Sequence, residues 1–167
     1  MKTNQISKVY KVTFKTPLGI ACLLGDELGL TVCTLNELET SDSCKDSLPA
    51  YFGQAIQQLH EYFEGIRKKF TIPIHPQGTD FQLKVWNQLL TIPYGKTASY
   101  LDIAKQLGDP KVIRAAASAN GKNPLWIIIP CHRVIGSDGS LTGYAGGLWR
   151  KKWLLDHENP SKQQLLF

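Results

Sequence analysis

Leu125-Trp126-Ile127-Ile128-Ile129-Pro130-Cys131-His132-Arg133-Val134 is an apolar run that stops on a proline and delivers a cysteine and a histidine side by side. The run is short and β-branched. Asn123-Pro124 bounds it on one side and Gly136-Ser137-Asp138-Gly139 on the other, which predicts a buried strand with Cys131 at the rim of a core. Pro130 cannot donate to a ladder and fixes its own φ, so regular pairing ends there and the next side chains are re-aimed. A cysteine acts as a nucleophile only with a lowered pKa or a base at hand, and His132 with Arg133 supplies a base and a fixed positive charge nearby in sequence. Neighbours in an extended segment point to opposite faces, so a turn or a bridging water is expected between sulfur and imidazole. The same ten residues also fit a small buried cysteine beside a surface imidazole.

Working outward, 167 residues are enough to bury a real core, as one domain or as two small ones. Apolar content of 43% and charged content of 20% describe an ordinary globular chain. The N-terminal residues carry no continuous apolar stretch of signal-peptide type, and no run is long enough to cross a bilayer, so a cytoplasmic location and no membrane partner are expected. The cysteines Cys22, Cys33, Cys44 and Cys131 are too widely spaced for a CxxC pair and are expected as free thiols. Zinc could draw on them with His60 or His75, but no compact ligand spacing supports it, and no metal is expected. Charge is uneven: residues 1–80 carry 8 Lys/Arg against 9 Asp/Glu, and residues 81–167 carry 11 against 5. A polyanion would therefore bind the C-terminal half, unless the basic surface is simply solvated.

Residues 8–35 alternate in strand fashion, broken by Thr16-Pro17-Leu18-Gly19 and Gly25-Asp26-Glu27-Leu28-Gly29, which predicts an antiparallel meander containing Cys22 and Cys33. Residues 36–48 read as a polar loop. Ala55, Ile56, Leu59, Tyr62 and Phe63 are spaced as a helix that Gly65 could end, and residues 69–74 as one more strand. His75-Pro76-Gln77-Gly78-Thr79 is the expected linker, giving domains 1–77 and 78–167. Beyond it, Thr79 or Asp80 can cap a helix with an apolar face of Phe81, Val85, Trp86, Leu89 and Leu90. Two short helices, 99–107 and 111–120, flank Gly108-Asp109-Pro110 in helix-turn-helix fashion, although helical hairpins without a DNA role share the pattern. The second helix sets Arg114 among alanines, which suits close approach to a groove as well as tight packing.

Taken together, Ile92-Pro93-Tyr94-Gly95-Lys96-Thr97, Ser99-Tyr100, Arg114-Ala115, Ala119-Asn120-Gly121-Lys122-Asn123-Pro124, Ile129-Pro130-Cys131-His132-Arg133-Val134 and Thr142-Gly143-Tyr144-Ala145-Gly146-Gly147 resemble the O6-alkylguanine-DNA alkyltransferases. The resemblance spans residues 80–158, with residues 1–75 matching loosely. It implies an α/β (α+β) fold: an N-terminal RNase H-like antiparallel sheet with a helix, then a mostly helical domain carrying the helix-turn-helix and the active-site cysteine. It implies a suicidal DNA repair methyltransferase, acting once, as a monomer and without cofactor, on alkylated guanine in duplex DNA read from the minor groove. Cys131 would be the alkyl acceptor, His132 its base through a water, Glu158 the residue orienting His132, and Asn123 the holder of the turn. Tyr100 would protonate guanine N3, and Arg114 would fill the stack when the damaged nucleotide turns out. Ala115, Ala119, Asn120 and Tyr100 would meet DNA. Tyr144, Ala145, Gly146 and Trp126, with Gly143 and Gly147, would form the base pocket.

Two departures stand out. Ala115-Ala116-Ala117 replaces the Ala-Val-Gly often found in the family, and Trp126 is bulky for its place and would narrow or shape the pocket. An alkyltransferase-like damage binder would lack the acceptor cysteine. A Cys-His-Glu hydrolase would use the same three residue types for acyl transfer but gives no role to Tyr100 or Arg114. A purely structural or transcriptional DNA-binding module would not need Cys131 at all.

Overall fold

The computed structural model describes residues 8–38 and 47–160. The chain divides into two compact units, residues 1–76 and 77–167. Cys44 and most of the expected 36–48 loop lie outside the described residues.

In the first unit, β1 (Tyr10–Thr16), β2 (Gly19–Gly25) and β3 (Leu30–Asn36) form an antiparallel meander in the order β1-β2-β3. Alternation does its usual work here: Ala21, Leu23, Cys33 and Leu35 turn to one face and are buried, while Cys22 is only half-buried. Helix α1 (Ala50–Phe63) buries Tyr51, Phe52, Ala55, Gln58, Leu59 and Tyr62, a stripe at helical spacing. Phe52 meets Tyr10 edge-on at 6.2 Å. Full burial of a side chain such as Phe52 contributes about 1.5–3 kcal/mol. Gly65, at φ +79°, ends the helix: its amide bonds the Tyr62 carbonyl and the Ile66 amide bonds that of Glu61.

Residues 69–74 were expected as a strand, and the structure corrects this to a single parallel bridge, Leu30 with Ile74. Pro73 has no N–H to give a ladder, and the Thr71 amide is taken by the buried Gln58 side chain at 2.9 Å. Only the Pro73 carbonyl and the His75 amide remain to bond Leu30.

In the second unit, α2 (Asp80–Leu89) starts on a capping box in which Thr79 and Gln82 satisfy each other's backbone amides. Helix α3 (Tyr100–Gln106) has the same device in Ser99 and Asp102. A 3₁₀ turn, Pro110–Val112, leads into α4 (Ile113–Gly121), completing the helix-turn-helix. The Trp86 indole of α2 donates to the Ala119 carbonyl at 2.9 Å, tying α2 to α4. Two residues of β4 (Ala98–Ser99) pair in parallel with β5 (Val134–Ile135), and α5 (Leu148–Glu158) closes the described chain. Among the described residues no helix is long and apolar enough to cross a membrane.

The expected strand at residues 125–130 is also corrected. The run is buried but coiled into turns: Ile128 N bonds Trp126 O at 2.8 Å, Ile129 N bonds Leu125 O at 2.9 Å and Cys131 N bonds Ile129 O at 2.8 Å. The Leu125, Ile128, Ile129 and Cys131 amides are spent locally and Pro124 and Pro130 have none, so pairing shrinks to a single bridge residue, Leu125, and no strand extends from it. Ile127 reverses the chain at φ +72°. A β-branched residue there costs about 1–2 kcal/mol, and complete burial of Leu125, Ile127 and Ile129 offsets it.

Candidate active site

Asn123, 3% exposed, stands at the centre of that turn. Its side-chain oxygen accepts from Leu125 N at 2.9 Å, and its amide donates to Ile129 O at 2.8 Å and to Leu125 O at 3.3 Å. It also acts on the Cys131 thiol, drawing its pKa down a little against the effect of burial. The turn thus replaces a strand ladder with one side chain and feeds Cys131–Arg133, a 3₁₀ turn rather than extended backbone. Cys131 and His132 are both buried, so a surface imidazole is excluded.

Burial pushes the Cys131 thiol up to about 11, with the Asn123 hydrogen bond and the Lys151 charge pulling weakly the other way. The sulfur therefore rests as a thiol and needs a base. His132, fully buried, places Nε2 at 2.7 Å from Glu158 Oε1. Glu158 is the last residue of α5. Burial alone would raise its carboxyl, but hydrogen bonds from His132 and Arg133 and their charges outweigh this and hold it well below the usual range. A carboxylate facing Nε2 fixes the tautomer, with Nε2–H donating to Glu158 and Nδ1 left as the basic nitrogen. Nδ1 is buried and makes no hydrogen bond to the protein. Burial, with Arg133 and Lys151 adding positive charge, keeps the imidazole below its ordinary pKa despite Glu158, so at neutral pH it is a free base.

Arg133, the fixed positive charge nearby in sequence, is committed to Glu158, with Nε to Oε2 and Nη2 to Oε1 both at 2.9 Å, and Nη1 to the Ile92 carbonyl at 2.7 Å. Sequence reasoning missed Lys151. It is fully buried, donates to the Thr142 and Gly143 carbonyls at 3.1 and 3.3 Å, and interacts with Cys131. The signal was its place seven residues before Glu158 on one helix face, with Leu154 between them.

Tyr100, the first residue of α3, donates its hydroxyl to the Thr142 carbonyl at 2.9 Å. It helps line a cavity of about 490 Å³ with Arg114, Ala117, Asn120, Gly143 and Tyr144. Arg114 and Ala115 are exposed on α4. Asn120 is 6% exposed and its Oδ1 has no protein partner. Ala119, in contrast, is buried with its carbonyl on Trp86 and is not on the exposed face with Arg114. Trp126 packs at 5.8 Å against the Tyr144 ring, with Gly146 beside both; neither Trp126 nor Gly146 lines the cavity, and Ala145 is exposed outside it. Cys131 lies outside that lining too, linked to it through Lys151 and the Thr142–Gly143 carbonyls. Among the described residues no group of three or more metal-ligating side chains could hold a metal ion.

Comparison with known proteins matches residues 80–160 to the DNA binding domain of 6-O-methylguanine DNA methyltransferase and residues 9–76 to its ribonuclease-like domain. The methylated-DNA–protein-cysteine methyltransferase of Methanosarcina acetivorans is 46% identical over 154 residues, covering 90% of this chain and 98% of that protein. The constitutive enzyme of the same name from Bacillus subtilis is 42% identical over 162 residues, covering 93% and 98%. A Mycobacterium tuberculosis OGT structure in complex with DNA superposes with a TM-score of 0.80 at 47% identity, over 89% of this chain and 91% of that one. Both family models, relatives above 40% identity over nearly their whole length, and the shared fold lead to one conclusion: the chain belongs to the 6-O-methylguanine DNA methyltransferase family.

Proposed function

We propose that this chain repairs duplex DNA by moving an alkyl group from guanine O6 to Cys131, irreversibly and once per molecule. The observation that carries the reading is a buried cysteine followed directly by a buried imidazole whose Nε2 is held by a buried carboxylate. Sulfur attacks the alkyl carbon in line, the S–C bond forms and the C–O6 bond breaks. The thiol proton passes to His132 Nδ1 through a water, and Glu158 stabilises the imidazolium. Lys151 lowers the cost of the developing thiolate. Tyr100 releases Thr142 and gives its proton to guanine N3, so that a neutral base leaves. A thioether does not hydrolyse, and no second step regenerates the thiol.

Arg114, exposed on α4 with Ala115, fills the stack vacated by the damaged nucleotide, which must leave the duplex to be reached. Asn120 and Tyr144 meet the extruded base in the cavity. Residues 78–167 carry recognition and chemistry, and residues 1–77 act as a supporting domain. The location is the cytoplasm, where Cys22, Cys33 and Cys131 stay free thiols.

The test is intact mass, then peptide mapping, after incubation with a duplex containing one O6-methylguanine. The expected result is one added methylene on Cys131, saturating at one per protein. Binding without any mass change would leave a damage-recognition module instead.

A further inference from the structure

The wall of the cavity is made of a segment with little rigidity of its own. Gly143 and Gly147 sit at φ +57° and +91°, and Gly146 lies between them. Tyr144 projects from this segment into the cavity lining. What holds the segment comes from the first turn of α5. Arg150, 6% exposed, donates Nη1 to the Gly146 carbonyl at 2.9 Å, and its guanidinium lies 4.4 Å from the centre of the Trp149 ring. The Trp149 indole also lies against Gly147, where a Cβ would come within 3.2 Å of it. At Gly146 a Cβ would touch Trp126 and Tyr144, each at 3.0 Å. A continuous chain of contacts therefore runs from Trp149 to Arg150, to Gly146, and through Trp126 and Tyr144 to the cavity. Trp149 is 53% exposed, so core packing does not require so large a side chain there.

We infer that Trp149 is a positioning residue: by stacking on Arg150 it fixes the Gly143–Gly147 wall and so sets the size of O6 substituent that the site accepts. The inference rests on the alkyl-transfer reading and names its selectivity. An arginine free of the stack holds the Gly146 carbonyl in more than one rotamer, Tyr144 gains room to move, and a large planar substituent gains more from that room than a methyl group does.

The experiment compares single-turnover labelling of Cys131 by duplexes carrying O6-benzylguanine and O6-methylguanine, in the unmodified chain, Trp149→Ala and Trp149→Phe. Trp149→Ala should raise the benzyl-to-methyl rate ratio by roughly three- to tenfold, inside the roughly two- to thirtyfold that one cation–π contact is worth. Trp149→Phe keeps a ring under the guanidinium and should stay within about twofold of the unmodified ratio, a rescue that general loosening of the fold would not produce. An unchanged ratio in Trp149→Ala, or equal changes in both variants, overturns the inference while leaving alkyl transfer standing. No label on Cys131 in the unmodified chain would overturn both.

Discussion

Glu158 serves several partners with two oxygens: Oε1 faces His132 Nε2 and Arg133 Nη2, and Oε2 takes Arg133 Nε and, at 3.4 Å, the Gly95 amide. Removing one member of such a buried set strands a charge and costs about 3–5 kcal/mol, so the triad is also a structural joint. Its titration follows from the shifts. The Glu158 carboxyl is held below its ordinary 4.5 by His132 and Arg133, so its contribution is complete above that pH and is lost as pH falls below it. The His132 imidazole is held below its ordinary 6.5 by burial, with Arg133 and Lys151 adding to the effect. The unfolded chain therefore takes up a proton below pH 6.5 that the native chain refuses, and stability falls from there downward. The urea midpoint should drop between pH 7 and pH 5, before ordinary carboxylates titrate; a flat midpoint over that range would contradict a buried neutral imidazole. Of these residues, Cys131, His132 and Glu158 were legible in the sequence because the Pro-Cys-His-Arg motif names the first two and the family resemblance the third. Lys151 was not, since a lysine on a helix reads as solvent-facing until the helix is seen packed.

At the scale of elements, what was legible is what local chemistry decides. Alternation gave the meander, and the start of α2 was legible as Thr79 or Asp80, of which Thr79 is the cap. Periodicity failed at residues 125–130, because a short buried apolar run reads the same whether a ladder or a coil of turns satisfies its backbone. The deciding group was a side chain, Asn123, whose bonds to Leu125 and Ile129 cannot be read from hydrophobic spacing. The 69–74 segment failed for the same reason, with Gln58 as the side chain that intervened. Asn123→Ala should accordingly be costly twice over. Leaving the Leu125 amide buried without its partner, and the Ile129 carbonyl with the Cys131 amide alone, should lower stability by about 1–3 kcal/mol, seen as a shifted urea midpoint at constant slope. Methyl transfer should fall as well, because the same side chain holds the turn that delivers Cys131. Loss of transfer with unchanged stability would show that Asn123 touches only the thiol and does not carry the turn.

At the scale of the molecule, the 11 basic residues of positions 81–167 are not equivalent. Arg133, Arg150 and Lys151 are buried and bonded internally, so they cannot neutralise phosphates. Lys105, Lys111, Arg114 and Lys122 are exposed on or beside the two helices of the helix-turn-helix. If those four make the phosphate contacts, each releasing about 0.9 of a counterion, the logarithm of duplex affinity should fall against the logarithm of salt with a slope of roughly −3 to −4. Cys131→Ser is the form to measure, since it separates binding from transfer. Adding Arg114→Ala should make the slope shallower by at most about one, and less if the guanidinium sits in the base stack rather than on a phosphate. That substitution should slow transfer from duplex far more than transfer from free O6-benzylguanine, because only the duplex has a nucleotide to extrude. Lys11→Gln with Lys15→Gln, both on β1, should leave the slope unaltered, since residues 1–80 carry a net charge of −1 (8 basic against 9 acidic). A slope that responded to β1 and not to the helix-turn-helix would move the DNA-binding surface to the N-terminal unit, and with it the assignment of Arg114.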